Sequence, residues 1–372
     1  NTSFQILFGA EINAGTTMYI GLHSDNNLRF QDGSTTFFDT SALLRDTSAW
    51  YNIIVAFDTT QATASDRVKV YINGVEITSF SSSTNPSLNT DYTINNSVAH
   101  TVGRWTPTDL YHFDGYLAEV HFIDGQALDP TSFGETGDYG EWKPIAYAGT
   151  YGTNGFYLDF KNSGSLGNDA NGSNNWTPNN LAATDQMLDS PTNNFCTWNP
   201  LMKGGRTALS EGNLKVNNTS AIQNNYNGTI GTQLITSGKW YWEHMYTNPK
   251  DGMLIGMFRA PSTNFNAWLS DGDGGNIWVA DGAFHWGSRV EYDSSPPYLG
   301  ITVGNNNILQ IAFDADTGDM YVGVNGTWAN SGSAVMTGIS LNGAAGWVTG
   351  VRCNAESGTF YSYATFGQDS SF

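Results

Sequence analysis

Residues 309–326, LQIAFDADTGDMYVGVNG, decide the fold class of this chain. Leu309, Ile311 and Phe313 alternate with polar or small residues, which is the period of a β-strand with one buried face. The next apolar run, residues 320–324, ends at Asn-Gly, a dipeptide that favours a two-residue hairpin because both residues accept a positive φ. We therefore predict two antiparallel strands joined to a third by a tight turn.

The same pattern occurs near the start of the chain. Residues 53–57 alternate in the same way, and the apolar run 68–72 is followed by Asn73 and Gly74. Helical periodicity is almost absent from the rest of the sequence. We predict an all-β chain that folds into two antiparallel β-sandwiches built on one plan. Duplication and convergence both explain this repetition.

Composition divides the chain into three segments. We place a first sandwich at residues 1–140 and a last sandwich at residues 206–372. Residues 141–205 are dense in Gly and Asn, but they contain an apolar strand at residues 155–160. Because a flexible linker would lack aromatic residues, we predict a structured connector that adds strands to the first sandwich.

Charge and composition exclude several classes of function. The chain of 372 residues has a net charge of −19 and only 15 Lys and Arg residues, whereas phosphate binding needs clustered basic side chains. No stretch approaches the roughly 20 apolar residues of a membrane-spanning helix. The two cysteines, Cys196 and Cys353, lie outside any CxxC motif, which leaves a disulfide and two buried thiols as alternatives. We predict neither a nucleic-acid partner nor insertion into a membrane.

Short signatures in the last third of the chain resemble a SPRY domain. They are residues 238–243, 311–318, 324–328 and 366–368, and their order and spacing carry the resemblance. It implies a curved β-sandwich that presents loops to a ligand and has no catalytic residues of its own.

The first segment resembles a laminin-G-like, or concanavalin-like, jelly roll. Residues 49–55, 70–74 and 113–120 carry this resemblance. The chain begins too late for the first strand of that family, so we expect the first strand to be missing.

A further series is similar to large structural proteins of tailed bacteriophages, especially marine ones. Residues 122–130, 151–158 and 189–195 carry this similarity. It implies a component of the virion surface, such as a fibre or a decoration, that assembles as a symmetric homo-oligomer. The implied partners are a host-surface glycan or another virion protein.

The segment richest in aromatic residues is 265–298, where rings are interleaved with charged side chains. Flat rings stack on the C–H faces of sugars, and Trp, Tyr and Arg are common in the hot spots of protein interfaces. Core packing is the alternative, and we predict it for Trp240, Trp242 and Trp278. The candidate ligand-binding residues are Trp268, Asp271, Asp273, Trp286, Arg289 and Tyr298.

Two oxygen-rich segments are candidates for a calcium site, since Ca²⁺ takes about six to eight oxygen ligands. Asp25, Asn27 and Asp32 lie near a predicted strand end, and Asp271 and Asp273 lie among glycines that permit tight turns. A solvated turn is the alternative for both segments. Calcium is therefore the one cofactor that the sequence suggests.

Some concanavalin-like folds hydrolyse glycosides, which requires two carboxylates across a cleft. The best candidate strand places Glu119 and His121 on one face and Asp124 on the other. This spacing does not suit the reaction. We predict that the chain is not an enzyme and that Glu119 accepts hydrogen bonds from loops.

The sequence thus favours a virion-associated binding protein of the tail-fibre or adhesin type, which recognises a glycan or a protein through its sandwich loops. One alternative is a capsid-decorating or fibre protein without a host ligand. A second is a polysaccharide-degrading glycosidase on the concanavalin-like segment.

Overall fold

The computed structural model describes most of the chain as two compact units, residues 1–194 and 195–372. The described residues are 4–13, 16–105, 110–138, 140–205, 207–218, 227–247, 253–260, 277–280, 289–291, 304–340, 345–353 and 360–369.

The first unit is built on a six-stranded antiparallel sheet. Its strands are β1 (Gln5–Asn13), β2 (Thr16–Leu22), β3 (Asn27–Asp32), β4 (Thr35–Leu43), β8 (Phe80–Ser83) and β9 (Ala99–Val102). The spatial order is β8-β4-β3-β2-β1-β9. On β3, the buried Leu28 and Phe30 stand on either side of the partly buried Arg29, as expected for a sheet with one face packed on a core.

Smaller sheets complete the first unit. A three-stranded sheet contains β5 (Ile53–Phe57), β6 (Val68–Ile72) and β7 (Val75–Glu76). Two pairs contain β10 (Val120–Phe122) with β13 (Phe156–Leu158), and β11 (Gly134–Thr136) with β12 (Trp142–Pro144). The core between the six-stranded and three-stranded sheets comprises Met18, Leu28, Phe30, Phe37, Phe38 and Val70.

The second unit contains two larger antiparallel sheets. The six-stranded sheet has β14 (Trp198–Lys203), β17 (Asn227–Gly231), β19 (Met253–Ala260), β20 (Ile277–Ala280), β21 (Arg289–Glu291) and β25 (Gly346–Cys353). The seven-stranded sheet has β15 (Thr207–Ser210), β16 (Lys215–Asn218), β18 (Lys239–Thr247), β22 (Ile308–Asp314), β23 (Asp319–Val324), β24 (Thr327–Trp328) and β26 (Phe360–Thr365). Their orders are β14-β17-β25-β19-β20-β21 and β15-β16-β26-β18-β22-β23-β24.

Both predicted hairpins are present. Asn73 and Asn325 each have a φ of 49°, and the glycines that follow them have φ values of 77° and 80°. Two successive positive φ values define the turn that matches the twist of the paired strands. The Asn-Gly signal therefore located both turns correctly, and the prediction of an all-β chain of antiparallel sheets is confirmed.

The core of the second unit lies between its two sheets. Trp242 is 2% exposed, which confirms its predicted place in the core. Trp240 is partly buried against the same core. Trp278 lies on β20, but its side chain is outside the described residues.

The unit boundary lies between Asn194 and Phe195. The segment expected to be a connector is therefore shared between the units. Residues 141–194 belong to the first unit, where β13 pairs with β10. Residues 195–205 belong to the second unit and provide β14, which pairs with β17.

Outside the strands, the described residues form turns and a few 3₁₀ helices of three or four residues. In this part of the chain, no helix is long and apolar enough to cross a membrane. Cys196 is a buried free thiol whose pKa is raised by burial. The side chain of Cys353 is outside the described residues.

Candidate functional site on the first unit

Most of the predicted ligand-binding residues are outside the described parts of the chain. These are Trp268, Asp271, Asp273, Trp286 and Tyr298. Arg289 begins β21, but its side chain is not described. The aromatic site at residues 265–298 therefore stays a prediction.

The structure does not bring the three residues of the first candidate calcium site, Asp25, Asn27 and Asp32, close together. Asn27 begins β3 and Asp32 ends it, so the two lie about 16 Å apart at about 3.3 Å per residue. Asp32 accepts a hydrogen bond from the hydroxyl of Thr93 at 3.1 Å. Asp25 is exposed and lies 3.7 Å from His23. Among the described residues, no group of three or more His, Cys, Asp or Glu side chains is arranged to hold a metal ion.

A different group of side chains lies on the six-stranded sheet of the first unit. Met18, Leu28 and Phe30 point into the core, so the alternating residues Tyr19 and Arg29 point to the opposite face. We call this surface the Tyr19 face. It comprises Phe4, Tyr19, Arg29, Gln31, Asp39, Trp105 and Tyr111.

An ion pair lies at the centre of the Tyr19 face. Arg29 and Asp39 are directly opposite each other on β3 and β4, and Nε of Arg29 donates to Oδ2 of Asp39 at 3.1 Å. The hydrogen bond to Asp39 is the main reason that the pKa of Arg29 is raised. The Asp39 side chain is only 7% exposed, and a buried carboxylate needs such a partner to remain charged.

Hydrogen bonds also fix the tyrosine that gives the face its name. The hydroxyl of Tyr19 donates to Oε1 of Gln31 at 3.0 Å, and Nε2 of Gln31 donates to the carbonyl of Gly33 at 2.6 Å. Burial raises the pKa of Tyr19, while the nearby Arg29 opposes that shift. The ring is only 6% exposed, so it holds the neighbouring rings in place from beneath.

Four aromatic rings are in contact around this position. The ring centroid of Tyr19 lies 5.0 Å from that of Phe4 and 5.2 Å from that of Trp105. Tyr111 lies 5.3 Å from Phe4 and 6.0 Å from Trp105. Tyr111 is 44% exposed, so the cluster reaches solvent at this ring.

The backbone at Tyr111 is held in an uncommon conformation. Its φ is 55°, a left-handed value that non-glycine residues rarely adopt. The carbonyl of Tyr111 accepts a hydrogen bond from the backbone N–H of Ile6 at 3.0 Å, and Trp105 pairs with Leu110 as an isolated bridge. Strained backbone of this kind persists where surrounding contacts enforce it, which is frequent at binding sites.

Sequence reasoning did not single out the Tyr19 face. Its residues come from β2, β3, β4 and two loops, and only the strand register brings them together. One signal was available: Arg29 and Asp39 are charged residues within alternating strands of a chain that has only 13% charged residues.

The residues considered for hydrolysis form a second cluster. The hydroxyl of Tyr157 donates to Oε2 of Glu119, and Nε2 of His121 lies 3.8 Å from the same oxygen. His121 stacks on Tyr157 with ring centroids 4.4 Å apart, and its Nδ1 lies 2.8 Å from the hydroxyl of Tyr151. Glu119 has a φ of 53°, another left-handed value.

Burial controls protonation in this cluster. It lowers the pKa of His121 to about 4 and raises the pKa of Tyr151 to about 12. Because His121 is uncharged at neutral pH, its contact with Glu119 is not an ion pair there. Glu119 was expected to accept hydrogen bonds, and its described donor is the Tyr157 side chain.

Two other carboxylates of the first unit, those of Asp124 and Asp169, are engaged in hydrogen bonds of their own. Asp124 accepts from Nδ2 of Asn95 at 2.8 Å and from the backbone N–H of Asn154 at 3.0 Å. Asp169 is 4% exposed and accepts three backbone N–H groups, those of residues 157, 171 and 174. Both are arranged as structural acceptors, and each holds backbone of the Gly- and Asn-rich region.

Comparison with known proteins supports part of this picture. Residues 1–132 match the family described as the Concanavalin A-like lectin/glucanases superfamily, which confirms the predicted concanavalin-like segment. No curated protein sequence matches the chain.

Three solved structures are similar to part of the chain. The SPRY domain of human HERC1 is 13% identical, covers 47% of this chain and 99% of its own, and has a TM-score of 0.36. The PSpry domain of TRIM65 is 13% identical and covers 45% of this chain and 88% of its own, with a TM-score of 0.34. A human SPRY domain is 9% identical and covers 42% and 94%, with a TM-score of 0.31.

Proposed function

We propose that this chain is a non-enzymatic binding protein that recognises a glycan through the Tyr19 face. The observation that carries the proposal is that four contacting aromatic rings and the partly buried Arg29–Asp39 ion pair share one sheet face, where Arg29 interacts with Tyr19. The description of the family matched by residues 1–132 names lectins and glucanases, both of which bind sugars, and it therefore supports a sugar ligand.

The chemistry of the face suits sugars. The exposed ring of Tyr111 offers a flat apolar surface to the C–H groups of a pyranose, and the half-buried rings of Phe4 and Trp105 lie beside it. Arg29 and Gln31 are only partly buried, and their remaining N–H groups are suited to donate to sugar hydroxyls. Sites of this type combine apolar walls with a few well-placed polar groups.

The arrangement of carboxylates supports binding without hydrolysis. Glu11 and Asp39 lie on β1 and β4, which are three strands apart in the sheet. At about 4.8 Å per strand, their backbones are about 14 Å apart or more. Glycosidases hold their two carboxyl groups about 5 to 9.5 Å apart. Glu119 is bound to Tyr157 and has no paired carboxylate in the described contacts.

The setting of the protein is proposed from sequence resemblance alone. The similarity to structural proteins of tailed bacteriophages leads us to place this binding protein on a virion surface, as a homo-oligomer of the tail-fibre or adhesin type. Repetition of the site in such an oligomer would raise overall avidity without any new contact. A decorating or fibre protein that binds only other virion proteins is the second candidate.

A glycan array with the full chain tests the proposal, and reducing-sugar release from the glycans that bind provides the enzymatic control. We expect binding to a defined set of glycans with no release of reducing ends. Turnover of a bound polysaccharide would support the glycosidase alternative. Absence of binding to every glycan, with retention on purified virion proteins, would support the decorating role.

A further inference from the structure

The seven-stranded sheet of the second unit has an aromatic outer face. Trp242, Ile311 and Phe313 point into the core, so the alternating positions point outward. These outward positions span β18, β22, β23 and β24, which are adjacent in the sheet. We call them the Tyr241 face, and they are Tyr241, Glu243, Gln310, Ala312, Tyr321, Gly323 and Trp328.

Two rings dominate this face. Trp328 lies opposite Gly323, and a Cβ on Gly323 would lie 3.2 Å from the indole ring, so the ring covers the glycine. Tyr241 is opposite Ala312 and is 47% exposed. The Tyr241 and Trp328 ring centroids are 6.4 Å apart at an angle of 53°. The small residues between them let the rings lean together over the sheet.

A hydrogen-bond network holds Tyr241 in place. Nε2 of Gln310 donates to the Tyr241 hydroxyl at 2.7 Å and to Oε1 of Glu243 at 3.2 Å. The Tyr241 hydroxyl donates to the same carboxylate oxygen. Oε1 of Gln310 accepts the backbone N–H of Gly326 at 2.6 Å. An exposed ring fixed in this way loses little conformational entropy when a ligand stacks on it.

The charges around the rings restrict the ligand. Glu243 is the carboxylate next to Tyr241, and no described residue donates to its Oε2. Asp314, farther along β22, is neutralised by Lys239 at 2.6 Å. A free carboxylate oxygen accepts a sugar hydroxyl, whereas it repels uronic and sialic acids.

We propose that Tyr241 and Trp328 form a stacking platform for the apolar face of a neutral pyranose, with Glu243 accepting one of its hydroxyls. This site is separate from the Tyr19 face, since it lies in the other unit and shares no residue with it. An experiment can therefore exclude sugar binding at one of the two faces and still support it at the other.

The test is titration of the full chain with neutral tetrasaccharides, followed by calorimetry and saturation-transfer NMR. The probes are cellotetraose, mannotetraose and N-acetylchitotetraose, with tetragalacturonate as the anionic counterpart. At least one neutral probe should bind, and Tyr241→Ala and Trp328→Ala should each weaken its Kd about tenfold or more. Tyr241→Phe keeps the ring and should retain most of the affinity.

Two further variants control for folding and for charge. Tyr361→Ala removes a tyrosine from the outer face of β26, which is in the same sheet, and should leave the Kd unchanged. Glu243→Gln keeps the size of the side chain and should weaken neutral binding while reducing the discrimination against tetragalacturonate.

The proposal is overturned if no neutral probe binds, or if binding is unchanged in both Tyr241→Ala and Trp328→Ala. Equal affinity of the wild type for tetragalacturonate would also overturn it. Loss of neutral binding in Tyr111→Ala but not in Tyr241→Ala would assign the sugar to the Tyr19 face alone.

Discussion

Asn73 and Asn325 make the same contacts in the two units. Oδ1 of Asn73 accepts the backbone N–H of Asn52 at 2.8 Å, and Oδ1 of Asn325 accepts the backbone N–H of Ile308 at 2.9 Å. Each Asn also donates its own backbone N–H to the carbonyl of that same residue, at 2.9 Å in both cases. In each unit, one reciprocal pair of hydrogen bonds thus ties the hairpin turn to the start of the neighbouring strand, β5 or β22.

We predict that Asn73→Ala and Asn325→Ala each destabilise their own unit by about 2 kcal/mol. The change removes a hydrogen bond, worth about 1 kcal/mol, and forces a non-glycine residue without a polar side chain into a left-handed conformation. Denaturant unfolding of the full chain measures the effect. Asn→Gly at the same positions removes the hydrogen bond alone and should cost about half as much, so equal losses for Ala and Gly would contradict the backbone part of this explanation.

The stability of both units should fall as the pH drops below about 6.5. Burial lowers the pKa of His244 to about 3 and that of His121 to about 4, whereas a histidine in the unfolded chain has a pKa of about 6.5. Between these values the unfolded state binds a proton that the folded state does not. Each histidine therefore reduces the free energy of unfolding by about 1.4 kcal/mol per pH unit in this window.

Unfolding curves between pH 7.5 and 5 measure this dependence, before most carboxylates titrate. His244→Phe should flatten the slope of the second unit only, and His121→Phe that of the first unit only. The two variants are controls for each other. Unchanged slopes in both would show that other groups control the pH dependence.

Asp169 should be essential for the fold of the Gly- and Asn-rich region. Its carboxylate accepts backbone N–H groups from Tyr157, Asn171 and Asn174 at 3.0 to 3.1 Å. Removing a buried charged acceptor leaves these donors unsatisfied, so Asp169→Ala should cost the first unit about 3 kcal/mol or more. Thermal unfolding measures the loss.

Asp46→Ala is the matched control for that variant. Asp46 accepts the N–H and hydroxyl of Ser48 in an exposed turn, where lost hydrogen bonds are replaced by water. We expect a loss of about 1 kcal/mol or less. Similar losses for the two aspartates would mean that burial of Asp169 is not the source of its effect.

The Arg29–Asp39 pair should show strong coupling. Arg29→Leu leaves the buried Asp39 carboxylate without its partner and should destabilise the first unit by about 3 kcal/mol. Arg29→Leu combined with Asp39→Leu removes both charges and should recover most of that loss. A double-mutant cycle by denaturant unfolding gives the coupling, and strictly additive losses would argue against a buried ion pair.

Local sequence signals predicted the hairpins well because they depend on neighbouring residues only. Alternation fixed the strands around Phe57 and Phe313, and the Asn-Gly pairs fixed the turns. The boundary at Phe195 was not predicted, since the pairing of β14 with β17 depends on residues that are about thirty positions apart.

The Tyr19 and Tyr241 faces were harder to predict for the same physical reason. Tyr241 lies within a signature that suggested core tryptophans, and its outward orientation follows only from the pairing of β18 with β22. The Trp328 ring approaches Tyr241 across two intervening strands, β22 and β23, because Gly323 leaves space for the indole. Such contacts depend on register between distant segments, which composition and periodicity do not specify.

The measurement that tests the central claim most directly is the affinity of Trp105→Ala for the glycan that binds best on the array. Trp105 contacts both Tyr19 and Tyr111, so its removal should weaken the Kd about thirtyfold, as expected for an aromatic hot spot worth about 2 kcal/mol. Tyr147 is an aromatic residue of the same unit that packs on Phe133 and Tyr151, and Tyr147→Ala should leave the affinity within about threefold. An unchanged Kd for Trp105→Ala would contradict glycan recognition by the Tyr19 face.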